Sequence, residues 1–233
     1  YLSPLNFATN FALFRDAGWD VAVAPEPIRD PGALAKALAD VDAVLVRSAT
    51  PVPAEALREA AQLRVIGRAG AGVDTIDVEA ATARGIAVMN APDGNTLAAA
   101  EHALSLLFAL ARHIPRADAG MKAGGWPKAG LTGFELEGKK LGVIGLGRIG
   151  GTVARKAQGI GMEVAAYDPF LPPSAAGKGS VPLKSLDDLL AWADIITLHI
   201  PRTKETTHLL SEARLRSMKQ GAYLINAARG GLV

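Results

Sequence analysis

The sequence predicts an α/β fold of two doubly wound parallel-sheet halves, and three observations carry that prediction. Short β-branched and apolar runs alternate with alanine-rich stretches of helical length, the pattern of βα units that feed a parallel sheet. The alternation is interrupted once, between about Thr96 and Gly138, so it comes in two series. A glycine motif, Gly145-Leu146-Gly147-Arg148-Ile149-Gly150, follows directly on the apolar run 141–144 near the start of the second series. With 233 residues, 49% of them hydrophobic, the chain is long enough to bury a core in each half.

In the first series the strand candidates are residues 21–24, 43–46, 63–66 and 86–89. Helix punctuation agrees with them. Asp30 before Pro31 supplies a cap and a first-turn proline, Asp77 caps a helix running through Arg84, and Gly85 ends it. Asn95 or Thr96 then opens a long helix to about Arg112, in which Leu97, Leu104, Leu107, Phe108 and Leu110 leave little polar face. Such a helix is expected to be buried between domains or subunits. Residues 114–138 carry Pro115, Gly120, Gly124, Gly125, Pro127, Gly130 and Gly133 among Trp126, Leu131 and Phe134. They read as a long irregular arm with exposed aromatics, a candidate dimer contact. The second series places strands at 141–144, 162–167, 195–200 and 222–226, with a small-residue loop at 172–180. The domain boundary is set between residues 91 and 92, giving halves of 1–91 and 92–233.

Composition narrows the function classes. The net charge is +2 with both signs interspersed, so no basic tract points to nucleic acid or an anionic membrane. The chain has no cysteine, which excludes disulfide frameworks, thiolate zinc sites and cysteine nucleophiles, and suits a reducing cytoplasm; no metal site is expected. No apolar stretch is long enough to span a bilayer and no signal pattern opens the chain, so a soluble protein is expected. The first residue is Tyr1, and Arg229-Gly230-Gly231-Leu232-Val233 resembles a strand-to-helix connection, so the chain reads as part of a longer one.

The glycine motif carries the chemistry. Gly145 permits a tight strand-to-helix turn, Gly147 removes a side chain where a pyrophosphate would approach the backbone, and Gly150 lets the new helix pack on its strand. The N–H groups and positive dipole end of that helix would face phosphates. Eighteen residues after the motif, Asp168 closes the strand 162–167, where its carboxylate can accept hydrogen bonds from the adenosine ribose hydroxyls. A 2′-phosphate would meet a like charge there, and Pro169, Phe170, Leu171 and Pro172 bring no arginine, so the cofactor expected is NAD.

Four segments, Arg68-Ala69-Gly70-Ala71-Gly72-Val73-Asp74, Gly145–Gly150, Tyr167-Asp168-Pro169 and Asn226-Ala227-Ala228-Arg229-Gly230-Gly231, resemble in order and spacing the D-isomer-specific 2-hydroxyacid dehydrogenases. The similarity is weakest before about Gly18. It implies a flavodoxin-like substrate half and a Rossmann-type NAD half, with the reaction in the cleft between them. Within the family, Val46-Arg47-Ser48-Ala49-Thr50, the run 65–70 and Met89-Asn90-Ala91-Pro92 are most like members that oxidise D-3-phosphoglycerate to 3-phosphohydroxypyruvate, the entry to serine synthesis.

The resemblance implies roles for individual residues. Gly70, Ala71 and Gly72 would present backbone N–H groups to the substrate carboxylate, although the same residues also suit a plain βα turn. Arg148 and Ile149 would sit over the pyrophosphate. Ile200 and Pro201 would wall the adenine and ribose side, and Ala227, Ala228 and Arg229 would border the cofactor from the next strand end. Arg229 would be catalytic, bonding the carboxylate and carbonyl oxygens of the substrate with its planar, permanently charged fork; a solvated turn residue is the alternative. Arg47, Arg68 and Lys128 would add positive charge for a substrate phosphate, or serve as surface cations. The glutamate and histidine that the family uses for proton transfer lie downstream of the arginine motif and outside these residues, which is why a longer enzyme is expected. His102, His113, His199 and His208 do not match that role and read as packed residues. A homodimer or homotetramer is implied as well. The rival readings are a hydroxypyruvate or glyoxylate reductase of the same family and an NAD-sensing corepressor on the same fold.

Overall fold

The computed structural model describes residues 11–126, 128–172 and 181–233. The chain divides into two compact units, Tyr1–Asn95 and Thr96–Val233.

In the first unit, residues 11–16 are helical. Three parallel strands follow, β1 (Ala43–Val46), β2 (Val65–Arg68) and β3 (Ala87–Asn90), hydrogen-bonded in chain order. Helices α1 (Pro31–Leu38), α2 (Ala54–Leu57) and α3 (Val78–Ala83) alternate with them. Both caps form as expected: Asp30 accepts from the Ala33 amide at 2.7 Å and Asp77 from the Ala80 amide at 2.9 Å. Gly85 follows α3 with φ +69°, the left-handed geometry that ends a helix. Residues 21–24 form no strand, and Val23 is half exposed. Their β-branched pattern is genuine, but a strand needs a ladder, and among the described residues none pairs with them. Strands β2 and β3 begin two residues and one residue later than expected. The register pairs Val46 with Arg68 and Arg68 with Asn90, so these two side chains become the last positions of their strands. Leu34, Leu38, Val52, Leu57, Ile66 and Ile86 form the core.

The second unit has β4 (Lys140–Ile144), β5 (Glu163–Tyr167), β6 (Ile195–Leu198) and β7 (Tyr223–Asn226), all parallel, in the order β5-β4-β6-β7. The chain goes from β4 to one neighbour and later returns to the other, so the switch in direction falls at the C-terminal end of β4, where open α/β sheets bind ligands. Apolar cores cover both faces of the sheet. One holds Ala103, Leu107, Val143, Val153 and Ala157; the other holds Ile144, Leu189, Leu190, Ile196 and Leu198. At the opposite end of the strands Asp194 clasps the sheet. Its carboxylate accepts from the Lys140 amide at 2.9 Å and from Lys219 Nζ at 2.8 Å. Burial pulls this carboxyl upward, but the Lys219 bond and the Lys140 amide outweigh it and hold it below the usual 3.8.

Two helices fill the stretch between the two strand series. Helix α4 (Thr96–Ala111) turns its small residues Ala100, Ala103 and Ala111, with Leu107, inward and packs on α6 (Arg148–Gly159) of its own unit. Leu97 and Phe108 stay exposed, because a helix that approaches closely needs small side chains at the contact. The expected irregular arm opens with a helix, α5 (Ile114–Lys122), since Pro115 sits in its first turn, where a missing N–H costs nothing. The chain then folds back: Phe134 N donates to Ala111 O at 2.9 Å, and its ring stacks on Tyr223 with centroids 4.8 Å apart. Of the two aromatics expected to be exposed, Trp126 is (73%) and Phe134 is not. Pro127 and residues 173–180 of the small-residue loop lie outside the described residues. No single described helix is long and apolar enough to cross a membrane; α4 and α5 pass that test only as a pair bent by 69°.

Candidate functional site

At the switch point the three glycines of the motif do different work. Gly145 has φ +90°, and a Cβ there would lie 2.6 Å from Ile200 Cγ2 and 2.7 Å from His199 O, so the turn rests directly on the segment that leaves β6. A Cβ at Gly150 would collide with the carbonyl oxygen of Gly145. Gly150 therefore seats α6 on the turn. Gly147, in contrast, faces open space, with nothing within 4 Å of a Cβ. It is the N-cap of α6, and no side chain caps the helix there. The first turn of a helix presents N–H groups without intrahelical acceptors, and the dipole adds positive potential. Arg148 and Ile149 begin that helix.

Asp168 follows β5 and stands beside the turn. Its Oδ2 accepts from Leu146 N at 2.9 Å and its Oδ1 from Phe170 N at 3.0 Å. The carboxylate is thus fixed against the glycine loop while retaining further lone pairs for a ligand. Pro201 is exposed, and its carbonyl accepts from Thr206 Oγ1 at 2.7 Å. His199, expected inside a strand, comes just after β6 ends. Its N donates to Ile144 O at 2.8 Å, and its Nε2 lies 3.0 Å from the hydroxyl of buried Thr197. Burial pushes the imidazole down to about 4, so it is neutral at pH 7.

The arginine loop leaves β7 at Asn226. Both ends of the Asn226 amide are used: Oδ1 accepts from Ala228 N at 3.1 Å and Nδ2 donates to Arg229 O at 2.9 Å. Arg229 Nη1 donates to Ala228 O at 2.8 Å. Further on, Gly231 O accepts from His208 N at 2.8 Å and Leu232 O from Leu210 N at 3.0 Å. The loop is held at both ends.

In the first unit, Arg47 follows β1, and Arg68 ends β2 at the neighbouring position. The Arg68 side chain folds over Gly70, where any Cβ would collide with its guanidinium, and its Nε is buried without a hydrogen-bond partner. The turn Gly70–Ala71–Gly72 is tied to β3: Asn90 Nδ2 donates to Ala71 O at 2.6 Å, and Ala91 N donates to Gly70 O at 3.1 Å. Lys128 is exposed in the second unit, in the stretch after α5. The sequence reading named neither Asn90 nor Asn226 as a site residue. Both asparagines close a strand just before a loop, a place where turn asparagines are common, so the position alone does not mark them. Among the described residues no group of three His, Cys, Asp or Glu could hold a metal ion.

These residues fit a dinucleotide: a glycine turn open at Gly147, an uncapped helix entrance behind it and a fixed carboxylate beside it. Residues 104–233 match the family model described as "D-isomer specific 2-hydroxyacid dehydrogenase, NAD binding domain". The chain is similar to the D-3-phosphoglycerate dehydrogenase of Archaeoglobus fulgidus, 51% identical over 192 residues, covering 82% of this chain and 36% of that protein. It is similar to the enzyme of that name from Mycobacterium tuberculosis, 50% identical over 207 residues, covering 89% and 39%. The chain thus spans well under half the length of these relatives. Among solved structures it resembles the TT0316 protein of Thermus thermophilus, with TM-score 0.88 and 36% identity over 97% of this chain and 72% of that one. It also resembles a D-lactate dehydrogenase from Aquifex aeolicus complexed with NAD and lactic acid, with TM-score 0.82 and 30% identity over 97% and 68%.

Proposed function

The chain belongs to the D-isomer specific 2-hydroxyacid dehydrogenases, and from that premise we propose that it serves the NAD-dependent oxidation of D-3-phosphoglycerate to 3-phosphohydroxypyruvate, the entry step of serine synthesis. The observation that carries this reading is the uncapped entrance of α6 behind open Gly147, with Asp168 fixed beside it. The amides of Arg148 and Ile149 take the pyrophosphate, Asp168 takes the ribose hydroxyls, and Ile200, Pro201, Ala227 and Ala228 border the cofactor. Bound NAD supplies the acceptor for the hydride that leaves the substrate's C2. Arg229 holds the substrate's oxygens, and its fixed positive charge stabilises negative charge on the C2 oxygen as the hydroxyl proton departs. Gly70, Ala71 and Gly72 hold the carboxylate, and Arg47, Arg68 and Lys128 supply charge for the phosphate. Residues 1–91 are the substrate half of this scheme and residues 92–233 the nucleotide half. His199 is not assigned the proton in this scheme, since it is bonded to Thr197 beneath the glycine turn.

The phosphorylated substrate is favoured by about 50% identity to relatives named for it and by two arginines at neighbouring strand ends. Isothermal titration with NADH and NADPH, followed by steady-state rates on phosphorylated and unphosphorylated 2-hydroxy acids, tests the proposal. NADH is expected to bind more tightly than NADPH, and D-3-phosphoglycerate to give the highest kcat/KM. Preference for an unphosphorylated acid would replace this reading with a hydroxypyruvate or glyoxylate reductase. The protein is proposed to act in the cytoplasm as a homodimer or homotetramer, with exposed Leu97, Phe108 and Trp126 in the contact. A concentration-independent monomer in sedimentation would refute the assembly.

A further inference from the structure

The hydrogen bonds around Gly70–Ala71–Gly72 show how that turn acquires its polarity. Every peptide bond in the described chain is trans, so within one peptide unit the C=O and the N–H point in opposite directions. The Gly70 carbonyl is drawn toward β3 by Ala91 N, and the Ala71 carbonyl by the Asn90 side chain. The N–H groups that share those two peptide planes belong to Ala71 and Gly72. Both are therefore turned away from β3, side by side. Among the described residues neither has an acceptor. Two adjacent amides aimed the same way form a concavity for an anion, and the Arg68 guanidinium over Gly70 adds a full positive charge beside it. Of the two ties, the Ala91 bond is main chain to main chain and is available to any residue at that position. The Ala71 bond depends on one side chain. An oxygen facing Ala71 O at 2.6 Å would be repelled, so it is the amide nitrogen of Asn90 that holds this peptide.

We propose that Asn90 is a positioning residue that fixes the orientation of the Ala71–Gly72 peptide, so that the turn offers two amides to a carboxylate. The proposal rests on the reading that this turn binds the substrate's carboxylate, and it adds the residue that makes the turn competent. Asn90 does not touch the ligand; it acts through the main chain. Its removal frees the peptide to rotate, and then an acceptor faces the anion in place of a donor.

The test is titration of the NADH-loaded protein with oxalate, an unreactive carboxylate probe. Asn90→Asp puts an acceptor opposite Ala71 O, so oxalate affinity at pH 8 is expected to fall about tenfold or more, the scale of one lost hydrogen bond to a charged group. NADH affinity and the melting temperature should stay close to wild type. Lowering the pH toward 5 protonates the introduced carboxyl, whose O–H then donates to Ala71 O, so part of the affinity returns. Asn90→Ala, which has nothing to titrate, loses affinity without that recovery and covers the case in which the aspartate variant does not fold. Unchanged oxalate affinity in both variants overturns the proposal. So does a parallel loss of oxalate affinity, NADH affinity and melting temperature, which would mark a purely structural bond. If the unaltered protein binds NADH but not oxalate, the role of Asn90 fails and the nucleotide reading stands; if it binds neither, the functional reading fails with it.

Discussion

In the second unit β4 and β6 are buried along nearly their whole length, whereas β3 in the first unit exposes three of its four residues. The nucleotide sheet is enclosed on both faces and its chain direction switches at β4; the described strands of the first unit simply follow chain order. Yet both units end the last strand with an asparagine whose Nδ2 donates to a loop carbonyl, Asn90 to Ala71 O and Asn226 to Arg229 O. Enclosure thus differs while the means of fixing a functional loop is shared. In the second unit the turn at Gly145 is positioned by close packing against Ile200, the His199 carbonyl and Gly150, with the Asp168 bond to Leu146 N beside it. In the first the turn at Gly70 is positioned mainly by hydrogen bonds and a folded-over arginine.

The sharpest way to break this comparison is a methyl group. Gly150→Ala in the second unit drives a Cβ into the Gly145 carbonyl, which is backbone and cannot move without shifting α6. A loss of about 3 kcal/mol or more, with loss of measurable NADH binding, is expected. Gly67→Ala in β2 also makes a close contact, 2.9 Å, but with Leu45 Cδ1, the mobile end of a side chain. Its cost should stay near 1 kcal/mol or be offset by the gain of replacing a strand glycine. Urea unfolding of the two variants side by side measures the difference, and equal costs would show that the second turn is no more tightly packed than the first sheet.

A smaller effect separates the units by pH. The four histidines all lie after residue 95, and burial holds His199 down at about 4 against an ordinary 6.5. Because the unfolded chain binds that proton more readily, the contribution is fully present above about pH 6.5 and is lost as pH falls through 4. About 3 kcal/mol is at stake. Hydrogen exchange at pH 7.5 and pH 5 should show falling protection in β4 and β6, and His199→Gln should flatten that dependence. The first unit has no histidine and should not follow this trend.

How much could be read from the residues beforehand differs between the units for the same reason. The enclosed strands β4 to β7 announce themselves as continuous apolar runs bounded by turn signals, and their expected bounds differ from the observed ones by one or two residues. The glycine loop and Asp168 were legible because each residue type answers a local steric or charge requirement. Residues 21–24 have a strand-like pattern without a strand, because ladder formation depends on a partner that local pattern does not reveal. Helix α5 hides in the expected irregular arm because its stretch carries Pro115 and Gly120, yet Pro115 occupies the one helical turn that tolerates it. The clamps of Asn90 and Asn226 are contacts across a loop or between strands. Nothing in the spacing of single residues distinguishes them from ordinary turn asparagines.

The smallest effect contrasts the two helix entrances. Helix α1 is capped by Asp30, whose carboxylate accepts from Ala33 N, and Pro31 completes an entrance built for stability. Helix α6 begins at Gly147 with no side-chain cap, although the backbone there, φ −69° and ψ −161°, would accept any residue and a Cβ would meet nothing. The glycine is therefore not required by strain or by packing. Its advantage is that the N–H groups and the space in front of them stay available. Gly147→Ser should let the hydroxyl cap the helix and stabilise the ligand-free protein by a few tenths of a kcal/mol. The same hydroxyl competes with a phosphate for those amides and fills the approach, so NADH affinity should fall severalfold while melting temperature rises slightly. Differential scanning calorimetry and isothermal titration on one preparation read both quantities. If serine raised stability and left NADH affinity intact, the open entrance of α6 would have no bearing on the dinucleotide, and the asymmetry between the two helices would need a cause other than ligand binding.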